Sequence, residues 1–127
     1  MDFSVKLLVL FCMMFCHVID DFYLQGILAK MKQQSWWKEN APDKMYEHDY
    51  IVALIIHAFS WSFMISVPVF FVGKNYIFIC FMIIVNMFLH ALIDDLKANQ
   101  RKINLIHDQV THFLQILVTW GVLVMVA

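Results

Sequence analysis

Three times in this chain a histidine and an aspartate stand four residues apart: His17 with Asp21, His90 with Asp94, and Asp108 with His112. A further histidine, His57, lies like them within an apolar run. Four residues advance an α-helix by about 400°, so the two side chains of each pair point the same way, one turn apart. An imidazole and a carboxylate so placed reach one metal ion, the logic behind zinc-binding helical motifs. A single pair commonly makes no more than a hydrogen bond on a helix surface. Three pairs and His57 together predict a ligand set of seven: His17, Asp21, His57, His90, Asp94, Asp108 and His112. A metal-free hydrogen-bonded network and plain interfacial roles are the two alternatives. Asp20, Asp95 and His107, beside the pairs, read as interfacial groups, solvated or paired with lysines, and His48 as simply solvated. Gln25, Lys97 and Gln109 are spaced to orient ligands or hold a substrate anion, and Asn86 to hydrogen-bond between helices.

The elements that position these residues are apolar. Of 127 residues 62% are hydrophobic and 15% charged, where a soluble domain carries about 25% charged residues. A bilayer core about 30 Å thick needs roughly 20 apolar helical residues. Four segments meet that, at about 3–24, 50–72, 76–95 and 108–127. The expectation is an all-α fold: one integral membrane domain over 1–127, a four-helix transmembrane bundle running up-down-up-down. Gly73-Lys74-Asn75 makes the tight turn between the second and third helices. The first segment has the length of a signal-peptide core behind Lys6, but no small-residue cleavage site follows, so it reads as a retained helix. The three cysteines lie in apolar runs without CxxC spacing and read as small buried hydrophobes. A net charge of −1 argues against a nucleic-acid surface.

In an up-down-up-down bundle the end of the first helix, the start of the second, the end of the third and the start of the fourth share one membrane face. All seven candidate ligands lie at those ends. The polar loop at about 30–49 and the connection after the third helix also belong to that face; they carry Lys30, Lys32, Lys38, Lys44, Lys97, Arg101 and Lys102, against Lys6 and Lys74 opposite. The positive-inside rule makes the ligand-bearing face cytoplasmic and leaves both termini outside. Trp36-Trp37, flanked by lysines, read as a headgroup-level anchor.

His17-Val-Ile-Asp-Asp21-Phe22-Tyr-Leu-Gln25 resembles the H-x3-D-F-x2-Q opening of a family of small bacterial and phage membrane proteins known only as a domain of unknown function. Leu54-Ile-Ile-His57-Ala58 resembles its second block, His90-Ala-Leu-Ile-Asp94-Asp-Leu-Lys97 its H-x2-I-D-x2-K block, and Asp108-Gln109-Val-Thr-His112 its D-Q-x2-H block. That family brings no settled activity. More remotely, the H-x3-D pattern in apolar helices is similar to membrane-bound proteins described as metal-dependent hydrolases.

The functional expectation is an intramembrane metal-dependent hydrolase holding zinc, with manganese or iron as alternatives, since mixed imidazole and carboxylate sets suit all three. Asp94 or Asp108 would take a proton from water, and Lys97 would bind an anionic group of the substrate. The expected partners are the lipid bilayer and a lipid-like or phosphorylated substrate; homo-oligomers stay open. Two other readings are a divalent-cation or proton transporter or channel, and a phage-type membrane effector whose polar cluster only holds helices together.

Overall fold

The structure, a computed structural model, describes residues 1–125; positions 126 and 127 of the expected fourth segment lie outside the described residues. Among the described residues every regular element is helical. Helix α1 (Phe3–Ile19) runs into a π-helical turn (Asp20–Leu24), followed by the short α2 (Leu28–Met31) and α3 (Gln34–Asn40). A 3-10 turn (Lys44–Tyr46) leads into α4 (Asp49–Phe70); then come α5 (Tyr76–Ala98), α6 (Leu105–Trp120) and a second π turn (Gly121–Met125).

Local chemistry sets these boundaries. Asn75 caps α5 by accepting from the Phe78 N–H at 3.0 Å, and Asn104 caps α6 by accepting from the His107 N–H at 3.0 Å. The second cap starts α6 at Leu105, three residues before the position expected from hydropathy. Gly73 turns the α4–α5 hairpin: a Cβ there would lie 2.8 Å from Ile79 Cδ1 and 2.9 Å from the Val69 carbonyl oxygen. The polar loop is more ordered than a solvated stretch, because α2 and α3 lie within it.

Helix α4 packs on α1 and α5, and α6 packs on the same two helices. Met13, Trp61, Ile65, Val69, Ile79, Ile83 and Ile116 are among the buried apolar side chains between them. The outer surface is apolar as well, with Leu8, Phe11, Phe15, Ile56, Phe59, Phe81, Ile84 and Phe88 exposed. Fully enclosed positions also hold His17, Asp20, His57, Asn86, His90, Asp94, Asp108 and His112. A buried polar cluster beneath an apolar outer surface suits hydrocarbon as the surrounding solvent.

Among the described residues three helices are long and apolar enough to cross a membrane: Phe3–Leu24, Lys44–Phe70 and Tyr76–Ala98. The described part of the segment expected as a fourth is not among them. Its helical part is shorter, and Asp108, Gln109, His112, Gln115 and Thr119 lower its hydropathy. Those polar residues turn inward or lie between helices, while Ile106, Val110, Leu114 and Val118 face out.

Candidate metal centre

The π turn is the first device. Its wider turn reduces the rotation per residue, so neighbouring side chains face one way, and both Asp20 and Asp21 are buried. π turns within helices gather at functional sites. Asp20 is therefore not the interfacial group expected from the sequence: Ser60 Oγ donates to its Oδ1 at 2.6 Å, and its Oδ2 faces His57 Nδ1 at 4.0 Å.

Six of the seven expected ligands converge. Three overlapping triads have ligand atoms within 4.8 Å of one another: Asp21, His57 and His90; His90, Asp94 and His112; Asp21, Asp108 and His112. His57 Nε2 stands 3.4 Å from Asp21 Oδ1, 3.3 Å from Asp94 Oδ2 and 3.2 Å from His90 Nε2. His112 Nε2 stands 3.4 Å from Asp94 Oδ1 and 3.3 Å from Asp108 Oδ1. The ligand atoms of a tetrahedral ion with bonds of about 2.0–2.1 Å stand about 3.3–3.4 Å apart. Asp94 presents one oxygen to each side, Oδ2 towards His57 and Oδ1 towards His112. Asp94 Oδ1, Asp108 Oδ1 and His112 Nε2 are buried without a hydrogen-bond partner.

His17 stands outside the triads. Its Nδ1 accepts from Trp61 Nε1 at 2.7 Å and its Nε2 meets Gln109 Oε1 at 3.1 Å, so neither nitrogen is free. An indole N–H can only donate, which fixes the chain of bonds beyond it. His17 carries its proton on Nε2 and donates to Gln109 Oε1. The Gln109 amide nitrogen then donates to Asp21 Oδ2 at 2.9 Å and Asp108 Oδ2 at 3.0 Å. His17 and Asp21 do not face each other; His17 orients Gln109, which ties together two carboxylates from different helices. Trp61 also stacks on His90, and His90 on His112, both with centroids 4.1 Å apart. The imidazole planes are thereby held from one side.

Two lysines complete the centre. Lys32 is only 5% exposed, and its Nζ lies 2.6 Å from Asp94 Oδ2. Lys97 Nζ lies 2.5 Å from Asp108 Oδ2. Lys32 carries no sequence signal, since it reads as one of several loop lysines. Trp61 carries a weak one, lying one turn beyond His57 on the same face. Gln25 bonds the Asp21 backbone carbonyl, not its carboxylate. Asp95 binds Asn99 and Gln100 at the periphery, and His107 and His48 are exposed. Asn86 donates to Thr119 Oγ1 at 3.0 Å and accepts from Gln115 Nε2 at 2.9 Å, as its interhelical spacing suggested.

Neither a curated protein nor a solved structure matches the chain. A family model described as a protein of unknown function, DUF3307, matches residues 9–127, and every residue of the centre lies within that span. The chain belongs to the DUF3307 family.

Proposed function

We propose that this protein is a four-helix integral membrane hydrolase whose His/Asp centre holds one or two divalent transition-metal ions at the cytoplasmic boundary of the bilayer. The observation that carries the reading is the set of ring nitrogens and carboxylate oxygens that face one another at 3.2–3.4 Å, several of them buried and unpartnered. A buried polar group without a partner costs about 1–3 kcal/mol, and a cation at these positions removes that cost for several groups together. Net charge agrees. Asp20, Asp21, Asp94 and Asp108 outnumber Lys32 and Lys97 by two, so with neutral imidazoles one dication balances the centre.

The three triads overlap in a ring, joined through His90, His112 and Asp21, so the same side chains offer places for one ion or two. Zinc fits this donor set, as do manganese and iron. A metal held there would supply Lewis acidity and would make water a competent nucleophile near neutral pH. The chain's own groups do the rest. Trp61, His17 and Gln109 hold Asp21 and Asp108 in place, and Asp20 faces His57 from behind. Of Asp94 and Asp108, the carboxylate left outside the ion's ligand set takes the proton from the attacking water.

The fourth helix of the bundle is α6. Its amphipathic pattern, polar inward and apolar outward, is stable in a membrane only with three other helices sheltering the polar face. The basic residues at 30, 32, 38, 44, 97, 101 and 102 support a cytoplasmic centre. A transport pathway has less support, because the polar groups beneath the centre end in the apolar layer of Met13, Ile65, Val69, Ile79 and Ile83.

The test is turnover of carboxylic and phosphoric esters by the full chain in lipid, supplied with Zn2+ or Mn2+. Asp108→Asn keeps the volume and removes a carboxylate that meets His112 and Lys97, so activity falls at least a hundredfold with helicity unchanged and a lower melting temperature. Wild type and Asp108→Asn turning over equally, or neither being active on any ester class, would refute the hydrolase.

A further inference from the structure

A cavity of about 400 Å³ opens above the centre. Gln25, Ala29, Lys32, Gln33, Lys97, Ala98 and Arg101 line it, three of them cations and none an acid. The walls are built. Asn99 accepts from the Gln34 N–H at 2.7 Å and donates to the Lys32 carbonyl at 3.1 Å, which binds the α2–α3 segment to the end of α5. That link aims Lys32 down into Asp94. Lys97 is the same kind of bridge on the other side, reaching from the cavity wall to Asp108.

Arg101 forms the rim and is exposed, with no carboxylate in salt-bridge range among the described residues. Its backbone lies in the left-handed region at φ 53, while Lys102 N–H donates to the Leu96 carbonyl at 2.9 Å to turn the chain. Glycine takes this conformation without strain, and a long cationic side chain does not. Strained non-glycine residues gather where a side chain is needed for a ligand.

We propose that this cavity is a phosphate-binding vestibule and that the substrate presents a phosphoryl group to Lys32, Lys97 and Arg101. The inference rests on the metal-centre reading for its chemistry, but the anion site stands on its own residues. Charge links the two. One dication neutralises the four aspartates and two lysines, and a second leaves two positive charges, which a phosphate dianion balances. A metal that engages Asp94 and Asp108 also frees the two ammonium groups from them, to turn to an anion in the cavity. Phosphate and the second metal therefore favour each other's binding, by the same factor in both directions.

The experiment uses the full chain in detergent with inorganic phosphate as probe. Equilibrium dialysis reads affinity with and without Zn2+, and phosphorus NMR with Mn2+ reads paramagnetic broadening of bound phosphate. The expected result is saturable binding that tightens at least tenfold with metal, and broadening of the phosphate signal. Arg101→Gly relieves the backbone and keeps the fold, yet weakens phosphate at least tenfold with metal content unchanged. Equal affinity in wild type and Arg101→Gly, or no saturable binding to the metal-loaded chain, would overturn the vestibule while leaving the metal centre intact. Phosphate binding that depends on Arg101 in a chain that takes up no metal would instead keep the vestibule and sink the hydrolase. Competition from nanodiscs containing phosphatidic acid, and none from phosphatidylcholine discs, assigns the phosphoryl group to a lipid headgroup. No competition from either, with inorganic phosphate still bound, assigns it to a soluble ester.

Discussion

Replacing Trp61 with phenylalanine removes one N–H and keeps an aromatic ring over His90. The loss falls first on His17 Nδ1, whose donor at 2.7 Å disappears from a fully buried position. An unsatisfied buried acceptor costs about 1–3 kcal/mol, so the chain loses about that much stability. The second effect is on the centre. With no donor at Nδ1, the His17 tautomer is no longer set. A proton on Nδ1 would leave Nε2 as an acceptor facing Gln109 Oε1, two acceptors 3.1 Å apart. Relief requires the Gln109 amide to turn, and its oxygen would then face Asp21 and Asp108. Outer groups that orient ligands typically change metal affinity by about 10–100-fold, and Trp61→Phe falls in that range. The control is Trp120→Phe, which loses an indole bond to the Lys6 carbonyl at 2.8 Å, far from the centre. The Lys6 carbonyl keeps its intrahelical bond in α1, so this variant costs less stability, and it leaves metal affinity alone. Competition with a chromophoric chelator measures both variants. Equal metal affinity in Trp61→Phe and wild type would refute the relay from Trp61 through His17 and Gln109.

Topology is tested by single cysteines introduced in a cysteine-free chain: a reagent outside intact cells labels a position next to Lys74 and leaves one next to Arg101 untouched, and the reverse pattern would invert the molecule. Asn104→Ala removes the α6 cap, costs about 1 kcal/mol, and loosens the turn that carries Asp108; calorimetry and metal titration together should show a lower melting temperature and weaker metal binding.

Much of the centre is legible from spacing alone, for a physical reason. His90 with Asp94 and Asp108 with His112 lie in regular α-helix, where a period of 3.6 holds and a separation of four means a shared face. His57 follows from the cost of an imidazole in an apolar segment. The pair His17 and Asp21 breaks the rule because the helix changes period between them: the π turn begins at Asp20, buries Asp20 and Asp21 together, and leaves His17 to Trp61 and Gln109. No hydropathy pattern signals such a turn. Lys32 is hidden for a different reason. Its burial comes from tertiary bonds of Asn99 to the α2–α3 segment, which local sequence does not encode. Hydropathy also weakens for α6, since the residues that make the centre are the ones that lower its mean.

Whether these side chains hold a metal is read directly by elemental analysis of the full chain, purified in mild detergent without chelators and then titrated with Zn2+ or Mn2+. The expected result is one tightly held transition-metal ion per chain, rising to two with excess metal, and loss of bound metal in His90→Ala and His112→Ala but not in His48→Ala. A well-folded chain that carries no ion and takes up none on titration would contradict it.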